Sequence, residues 1–276
     1  MGAEFHAGMR DLAEAARIVA LRGRHQGRVP GGGMAALHGA PDTAARLLRE
    51  IAPNLEKAAF NSPNALVVAG DEDALDRLEA ANADSTLQIH RLKVGYAYHS
   101  SRMDPIAPAL IEELGDIASH LPERLMISTV TGQPFTDLFD AEYWWRNVRA
   151  PVLFAQAVRQ AAQEDGTIFV EISPKAILQH YVRDILSEAD IPCRVIPAIP
   201  TTSFTVDPFP RVALACHAAG SDILSAPHFS GPARVRDLPG VHWTPEHYWF
   251  EPTQPATAVL GNPPDPHPLR RSRRQP

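Results

Sequence analysis

The sequence of 276 residues predicts an α/β fold in which a compact subdomain is inserted into a larger body. Three observations support this prediction. Strand and helix patterns follow the order β-α-β-β-α-β between residues 34 and 92, and helices and strands alternate again between 105 and 186. Prolines become dense from residue 197 onward, which predicts an extended linker that wraps a folded body.

The first predicted helix belongs to the larger body. Leu12, Ala15 and Val19 recur at helical spacing, and Gly23 supplies a helix stop. Arg22 continues the same stripe, where an arginine snorkels to solvent, caps the last carbonyls of its helix or reaches an anion in a cleft. The spacing alone favours the cap.

The inserted subdomain follows the glycines at 31–33, which we interpret as a hinge. A phosphate-binding loop would continue with Lys-Ser/Thr and a helix, and neither follows here. Strands are predicted at 34–38, 57–60, 65–69 and 87–92, helices at 42–51 and 71–81, and a turn at 61–64. This order is the split βαβ pattern of a ferredoxin-like subdomain.

The larger body resumes with a helix at 105–121, which carries Ile106, Leu110, Leu114 and Ile117 on one face. A short strand at 126–129, a helix at 152–162, a strand at 168–171 and a helix at 176–186 follow, and helical spacing returns at 212–219. These alternating elements indicate α/β layers.

Composition excludes several classes of function. A net charge of -6 gives no general attraction to nucleic acid, and no apolar run approaches the roughly 20 residues that span a bilayer. Cys193 and Cys216 fit no metal or redox spacing, and the start of the sequence lacks the features of a signal peptide. We therefore expect a cytoplasmic protein whose partners are neither nucleic acid nor membrane, and the basic run at 270–274 is interpreted as a solvated tail.

The segment 94–105 carries the main chemical signal, because a strand ends there, a loop presents His99 and a helix begins. Loops at strand ends are common places for catalytic groups. A lone histidine is more often structural than catalytic, so spacing alone leaves both roles open.

The order Ala97-Tyr98-His99-Ser100 resembles the A-[FYS]-H-S segment of the malonyl-CoA:acyl-carrier-protein transacylase family, in the version found in polyketide synthases. Further segments resemble that family in order and spacing, at 7–8, 20–24, 30–36, 61–63, 130–132, 143–152 and 169–174. The chain is thereby identified as an acyltransferase domain of a type I polyketide synthase, with the resemblance covering residue 7 to about 186.

The resemblance implies an α/β-hydrolase-like large subdomain at 1–28 and 94–196, interrupted by the ferredoxin-like small subdomain at 29–93. It also implies a post-acyltransferase linker at 197–256, because 238–243 and 247–252 resemble the "LPxYPWQ…YW" end of that linker. The tail at 257–276 contains His-Pro-Leu at 267–269, which resembles the start of a dehydratase domain, but two arginines follow where that family has Leu-Gly.

The family mechanism implies a role for five residues. His99 matches the base that deprotonates a serine, and Arg22 matches the arginine that holds the free carboxylate of the extender unit. Asn147 matches a position whose backbone carbonyl orients the histidine. Asn61 faces the substrate or forms a turn. Tyr98 would crowd the α-methyl group of a methylmalonyl unit and therefore favours malonyl. Tyr96, however, matches the first position of the methylmalonyl-type motif, so the signature for the extender unit is mixed.

The implied substrates are malonyl-CoA and the phosphopantetheine thiol of acyl carrier protein, with no bound cofactor and no metal. The implied partners are acyl carrier protein, ketosynthase and other polyketide synthase domains. No Gly-x-Ser-x-Gly occurs in the chain, and by family order this serine segment should lie just before Met1. We therefore expect an N-terminally truncated domain that is inactive alone and poorly stable, because its strand edges are unpaired.

Two alternatives stay open. A serine hydrolase or thioesterase-like enzyme would use the same serine and histidine but release acid to water, and Arg22 together with the inserted subdomain argues against it. A catalytically dead remnant would instead serve as a structural or docking module of a synthase, for which the proline-rich linker would be the relevant feature.

Overall fold

The computed structural model describes residues 12–82, 86–117, 121–164, 167–199 and 207–223. Most of the predicted linker, the tail and the segment at 7–8 lie outside the described residues. The helices are α1 (Leu12–Gln26), α2 (Pro41–Glu50), α3 (Glu72–Ala81), α4 (Ala107–Gly115), α5 (Ala141–Arg149), α6 (Phe154–Gln163), α7 (Gln179–Glu188) and α8 (Phe209–Ala218). The strands are β1 (Gly33–His38), β2 (Glu56–Ser62), β3 (Ala65–Gly70), β4 (Gln88–Arg91), β5 (Ile127–Ser128), β6 (Gln133–Pro134), β7 (Ile168–Glu171) and β8 (Arg194–Pro197).

The inserted subdomain is a four-stranded antiparallel sheet in the order β2-β3-β1-β4. This order and the two intervening helices confirm the predicted ferredoxin-like arrangement. Alternate residues of β1 point to opposite faces, so Ala35 and Leu37 pack with Leu47, Leu75 and Leu78 of the covering helices. One face of the sheet is thereby closed by α2 and α3.

The opposite face of the sheet carries small side chains and packs against the loop that contains His99. Met34, Ala36 and Ala69 form a cluster with Ala97, and Tyr98 lies against it. Because the alanine side chains of this cluster are short, the loop backbone approaches the sheet closely. The small subdomain therefore forms one wall of the region around His99.

The core of the larger body joins α1, α4 and α5. Ile18, Leu110 and Trp144 are fully buried in it, and all four predicted apolar positions of the 105–121 helix are buried. The predicted start and end of that helix were wrong. A 3-10 helix, Ser101–Ile106, begins earlier because the Ser100 side chain caps it, and α4 ends at Gly115.

The α1 prediction also needs correction. Gly23 does not stop the helix, which continues to Gln26, so Arg22 lies before the last turn rather than in it. The buried face contains Ala15, Ile18 and Leu21, whereas Val19 is 51% exposed. Helix continuation through Gly23 costs only about 1 kcal/mol relative to alanine. The turn beyond Gly23 is held by His25, which is fully buried and whose Nε2 lies 3.1 Å from the Glu113 carboxylate.

A second pair of strands, β7 and β8, runs parallel and is connected by α7. The predicted strand at 168–171 is confirmed, whereas the helix predicted from 176 begins at Gln179. The Glu171 carboxylate accepts hydrogen bonds from the N–H groups of Ile177 and Leu178, and these bonds hold the chain in a turn before α7. Among the described helices, none is long and apolar enough to cross a bilayer.

Candidate active site

The glycines at the start of the small subdomain bring together the two chain segments that connect this subdomain to the larger body. The Gly31 N–H donates to the Gly95 carbonyl at 3.2 Å, and Gly31 bridges Tyr96. Gly32 has a φ of +75°, and a Cβ there would lie 2.7 Å from the Gly70 carbonyl oxygen. Only glycine fits this close crossing, which delivers the following loop to the edge of the larger body.

His99 lies in that loop with a φ of +56°. Its Nδ1 lies 2.8 Å from the carbonyl oxygen of Ala150. A carbonyl only accepts hydrogen bonds, so Nδ1 carries the proton and donates. In the neutral ring Nε2 is then the basic nitrogen, which is the arrangement that a general base requires.

The carbonyl that orients His99 belongs to Ala150, so the expectation for Asn147 was wrong. Asn147 lies within the last turn of α5, where carbonyls point along the helix axis. Ala150 follows the helix in an extended conformation, with φ of -73° and ψ of 153°, and its carbonyl turns away from that axis. The register of the family motif placed the acceptor three residues too early.

The segment after Ala150 is fixed to the small subdomain by backbone hydrogen bonds. Val152 donates to the Ala58 carbonyl at 2.9 Å and accepts from the Phe60 N–H at 2.8 Å. The neighbouring Leu153 N–H donates to the Thr129 carbonyl at 2.7 Å. The acceptor of His99 is therefore held from both subdomains.

The surroundings of His99 favour the neutral form of its ring. Burial lowers the pKa of the His99 imidazole below its usual 6.5, the hydrogen bond to Ala150 raises it in part, and the Arg22 guanidinium lowers it. Arg22 is half-buried and lies close enough to act on this pKa. The structure thus places Arg22 of α1 within electrostatic range of His99, and the binding of a carboxylate by Arg22 stays a prediction.

The aromatic residues before His99 form a stacked pair. The rings of Tyr96 and Tyr98 have centroids 5.5 Å apart and an interplanar angle of 20°. Tyr98 is half-buried and packs against the core clusters of both subdomains. Burial, and secondly Tyr96, raises the pKa of the Tyr98 phenol, so Tyr98 is a neutral, bulky side chain beside the base.

Asn61 lies in β2 rather than in a turn, which corrects the turn predicted at 61–64. The pairing of β2 with β3 shifts register between Phe60 and Ser62, so Asn61 is the extra residue of a β-bulge. Its neighbours Phe60 and Ser62 line a cleft of about 420 Å³ together with Leu153, Gln156 and Arg159 among others. Asn61 therefore lies beside a cleft at the subdomain boundary, and its contact with substrate stays a prediction.

Sequence reasoning missed a charged network next to His99. Glu56 accepts hydrogen bonds from Ser101, and Arg149 is paired with both Glu56 and Asp104. The only signal in the sequence was the charge of residues that flank the two site segments. Among the described residues, no group of three or more histidine, cysteine or carboxylate side chains is arranged to hold a metal ion.

Comparisons with known proteins show which family the chain is similar to. The sequence profile of the family described as "Acyl transferase domain" matches residues 2–223. Erythronolide synthase EryA2 of Saccharopolyspora erythraea is 32% identical over 266 residues, which are 95% of this chain and 7% of that protein. Mycoketide-CoA synthase of Mycobacterium tuberculosis is 35% identical over 204 residues, which are 72% of this chain and 5% of that protein.

Solved structures give the same result. The acyltransferase domain from module 8 of the salinomycin polyketide synthase is 32% identical, with a TM-score of 0.66, and the match covers 71% of this chain and 47% of that one. Malonyl CoA-acyl carrier protein transacylase from Clostridium perfringens shares the fold at 22% identity and a TM-score of 0.68, over 78% of this chain and 68% of that one.

These likenesses confirm the predicted architecture of an α/β-hydrolase-like large subdomain with an inserted ferredoxin-like small subdomain. The chain spans only a small part of the curated relatives and about half of the salinomycin domain. The segments that resembled the family at the sequence level lie within the matched residues, apart from the predicted end of the linker. The chain belongs to the acyl transferase domain family and is homologous to the acyltransferase domains of modular polyketide synthases.

Proposed function

We propose that His99 is the general base of an acyl-transfer site that moves malonyl from coenzyme A to acyl carrier protein. The observation that supports this role is the hydrogen bond of its Nδ1 to the Ala150 carbonyl, which leaves Nε2 free to accept a proton. The Gly-x-Ser-x-Gly segment that carries the nucleophilic serine in this family does not occur within these 276 residues. By itself the chain does not form an acyl-enzyme.

In the first half of the reaction, Nε2 of His99 takes the proton of the serine hydroxyl as its oxygen attacks the thioester carbon. The Ala150 carbonyl stabilises the imidazolium that forms. When the tetrahedral intermediate collapses, the carbon–sulfur bond breaks and the imidazolium returns the proton to the coenzyme A thiolate. The products are acyl-serine and free coenzyme A.

In the second half, the phosphopantetheine thiol of acyl carrier protein attacks the acyl-serine. His99 takes the thiol proton and then returns it to the serine oxygen as the ester bond breaks. The lowered pKa of His99 favours the neutral ring, whose Nε2 is free to accept a proton before each attack. Acyl carrier protein is the acceptor that this reaction requires, and ketosynthase and other polyketide synthase domains are further partners in the cytoplasm.

Arg22 is the residue that holds the free carboxylate of the malonyl group. Its planar guanidinium offers paired donors to a carboxylate, and it already acts on the electrostatics of His99. A bound carboxylate would offset the positive charge of Arg22 at His99 and raise the pKa of the base. Arg22→Lys should therefore raise KM for malonyl-CoA more than it lowers kcat.

Tyr98 supports the preference for malonyl over methylmalonyl. Its ring packs between the two subdomain cores and stacks on Tyr96, so it cannot move aside without losing both contacts. An α-methyl group beside His99 would meet this ring. Tyr98→Ser should raise the relative use of methylmalonyl-CoA, and an unchanged ratio would contradict this role.

The test uses a polypeptide in which the N-terminal part of a homologous acyltransferase domain, up to and including its Gly-His-Ser-x-Gly-Glu segment, precedes this chain. Labelled malonyl-CoA is supplied with phosphopantetheinylated acyl carrier protein, and both carrier-bound malonyl and free malonate are measured. We expect transfer to carrier to dominate, and His99→Gln to slow it by about 10²–10⁴-fold. Free malonate as the main product would instead favour a hydrolase, and a His99→Gln rate equal to the parent would contradict the proposal.

A further inference from the structure

A single carboxylate joins the two segments whose ends form the His99–Ala150 hydrogen bond. Oε1 of Glu56 accepts from the backbone N–H of Ser101 at 2.7 Å and from the Ser101 hydroxyl at 2.5 Å. Oε2 of the same carboxylate lies 3.4 Å from a guanidinium nitrogen of Arg149. Ser101 follows His99 by two residues, and Arg149 directly precedes Ala150. Glu56 therefore contacts the chain on both sides of the hydrogen bond without touching the imidazole.

Arg149 completes the network by pairing with both Glu56 and Asp104. Its Nε donates to Asp104 in the 3-10 helix that follows the His99 loop, while its terminal nitrogen faces Glu56. The Glu56 and Arg149 side chains are 36% and 29% exposed, so water screens the pair only in part. Because each side chain has two partners in different segments, the network fixes geometry more than an isolated surface pair would.

His99 needs such support because its backbone lies in the left-handed region. A residue other than glycine remains there only when its surroundings hold it. Within the loop, the Ser100 hydroxyl donates to the Ala97 carbonyl at 2.6 Å, which ties the residues before His99. The side after His99 is tied by Glu56, whose strand also binds Val152 through its backbone.

We propose that Glu56 is a positioning residue for His99. By binding Ser101 and Arg149 it holds Nδ1 against the Ala150 carbonyl and so selects the tautomer in which Nε2 is unprotonated. The inference rests on the proposed role of His99 as a base, but the property it predicts is a tautomer, which can be measured without any transfer reaction.

The experiment uses the full chain with ¹⁵N-labelled histidine rings, and the His99 signals are assigned by their loss in His99→Gln. The parent should show one protonated Nδ1 and one unprotonated Nε2. In Glu56→Ala the Nδ1-protonated fraction should fall at least about twofold, because an imidazole released to water takes both tautomers. Glu56→Gln keeps an acceptor for Ser101 but places an amide opposite Arg149, so it should show a smaller fall.

Glu79→Ala is the matched control. Glu79 lies in the same subdomain, is 40% exposed and pairs with Arg91, which lies on the helix-covered side of the sheet. Glu79→Ala removes an ion pair comparable to that of Glu56 with Arg149, and it should leave the protonation of both His99 nitrogens unchanged.

An unchanged His99 tautomer in Glu56→Ala, with or without loss of thermal stability, would overturn the proposal, since Glu56 would then be a stabilising ion pair only. If Glu56→Ala does not fold, Glu56→Gln decides in the same way: a mixture of His99 tautomers would support the proposal, and an unchanged tautomer would overturn it. A parent chain with the proton on Nε2 would instead count against the base geometry of the proposed function. The two failures are therefore distinguishable.

Discussion

Replacing Gly32 by alanine should destabilise the chain strongly at the crossing between the subdomains. Gly32 has a φ of +75°, and the added Cβ would lie 2.7 Å from the Gly70 carbonyl oxygen and 3.1 Å from the Ala97 Cβ. The left-handed backbone costs about 1–2 kcal/mol and the overpacking about 1–3 kcal/mol. The two effects together predict a loss of about 2–5 kcal/mol in the free energy of unfolding.

Two other glycines separate these effects. Gly31 has a φ of +96° but no atom within 4 Å of the added Cβ, so Gly31→Ala should lose only the backbone cost of about 1–2 kcal/mol. Gly23 lies inside α1 with open space around it, so Gly23→Ala should stabilise by about 0.5–1 kcal/mol. Urea unfolding monitored by tryptophan fluorescence measures all three, and a Gly32→Ala loss no larger than that of Gly31→Ala would refute the reasoning.

Three further changes test the core, the site and the surface. Trp144 is fully buried and its Nε1 donates to the Phe139 carbonyl, so Trp144→Ala should cost about 3–5 kcal/mol in urea unfolding, and a cost below about 1 kcal/mol would contradict its place in the core. The lowered pKa of His99 means that the unfolded chain binds more protons, so stability is complete above 6.5 and is lost as pH falls through the lowered value. The free energy of unfolding should be lower at about pH 5.5 than at about pH 7.5, and His99→Gln should make this difference smaller. An equal difference in both proteins would contradict the lowered pKa of His99. Ile172 is 80% exposed, so Ile172→Lys should reduce binding of an apolar dye and self-association without loss of stability, and unchanged dye binding would contradict this expectation.

The inserted subdomain was predictable because its signals are local. Short apolar runs separated by turn residues and two helical segments give the order of elements, and the pairing of β1 between β3 and β4 then follows from a common topology. The bulge at Asn61 was not predictable from these signals, because it depends on how β2 pairs with β3 and on the bond from Phe60 to Val152. The sequence shows where β2 lies but not which residues of β3 it pairs with.

The boundaries of α1 and α4 show the limits of local signals in the larger body. In isolation, Gly23 signals the end of a helix and Pro105 the start of one. In the structure, α1 continues past Gly23 because His25 is buried against Glu113, and the Ser100 cap starts a 3-10 helix before Pro105. Burial depends on elements distant in sequence, so spacing could not reveal either outcome.

The site was predicted in part. The family motif identified His99, and Arg22 lies close enough to influence its pKa. The acceptor on His99 was assigned to Asn147 and is Ala150, because a motif aligns residue types whereas a carbonyl direction depends on where the helix ends. Glu56 had no motif at all, since its role comes from contacts between segments 45 residues apart in sequence.

The state of the His99 ring tests the central claim most directly. Titration of its two ¹⁵N resonances in the parent chain measures both the tautomer and the pKa. We expect Nδ1 to stay protonated throughout while Nε2 alone titrates, with a pKa below 6.5. A proton on Nε2 in the neutral ring, or a pKa at or above 6.5, would contradict the account of His99 as a half-buried base oriented by Ala150.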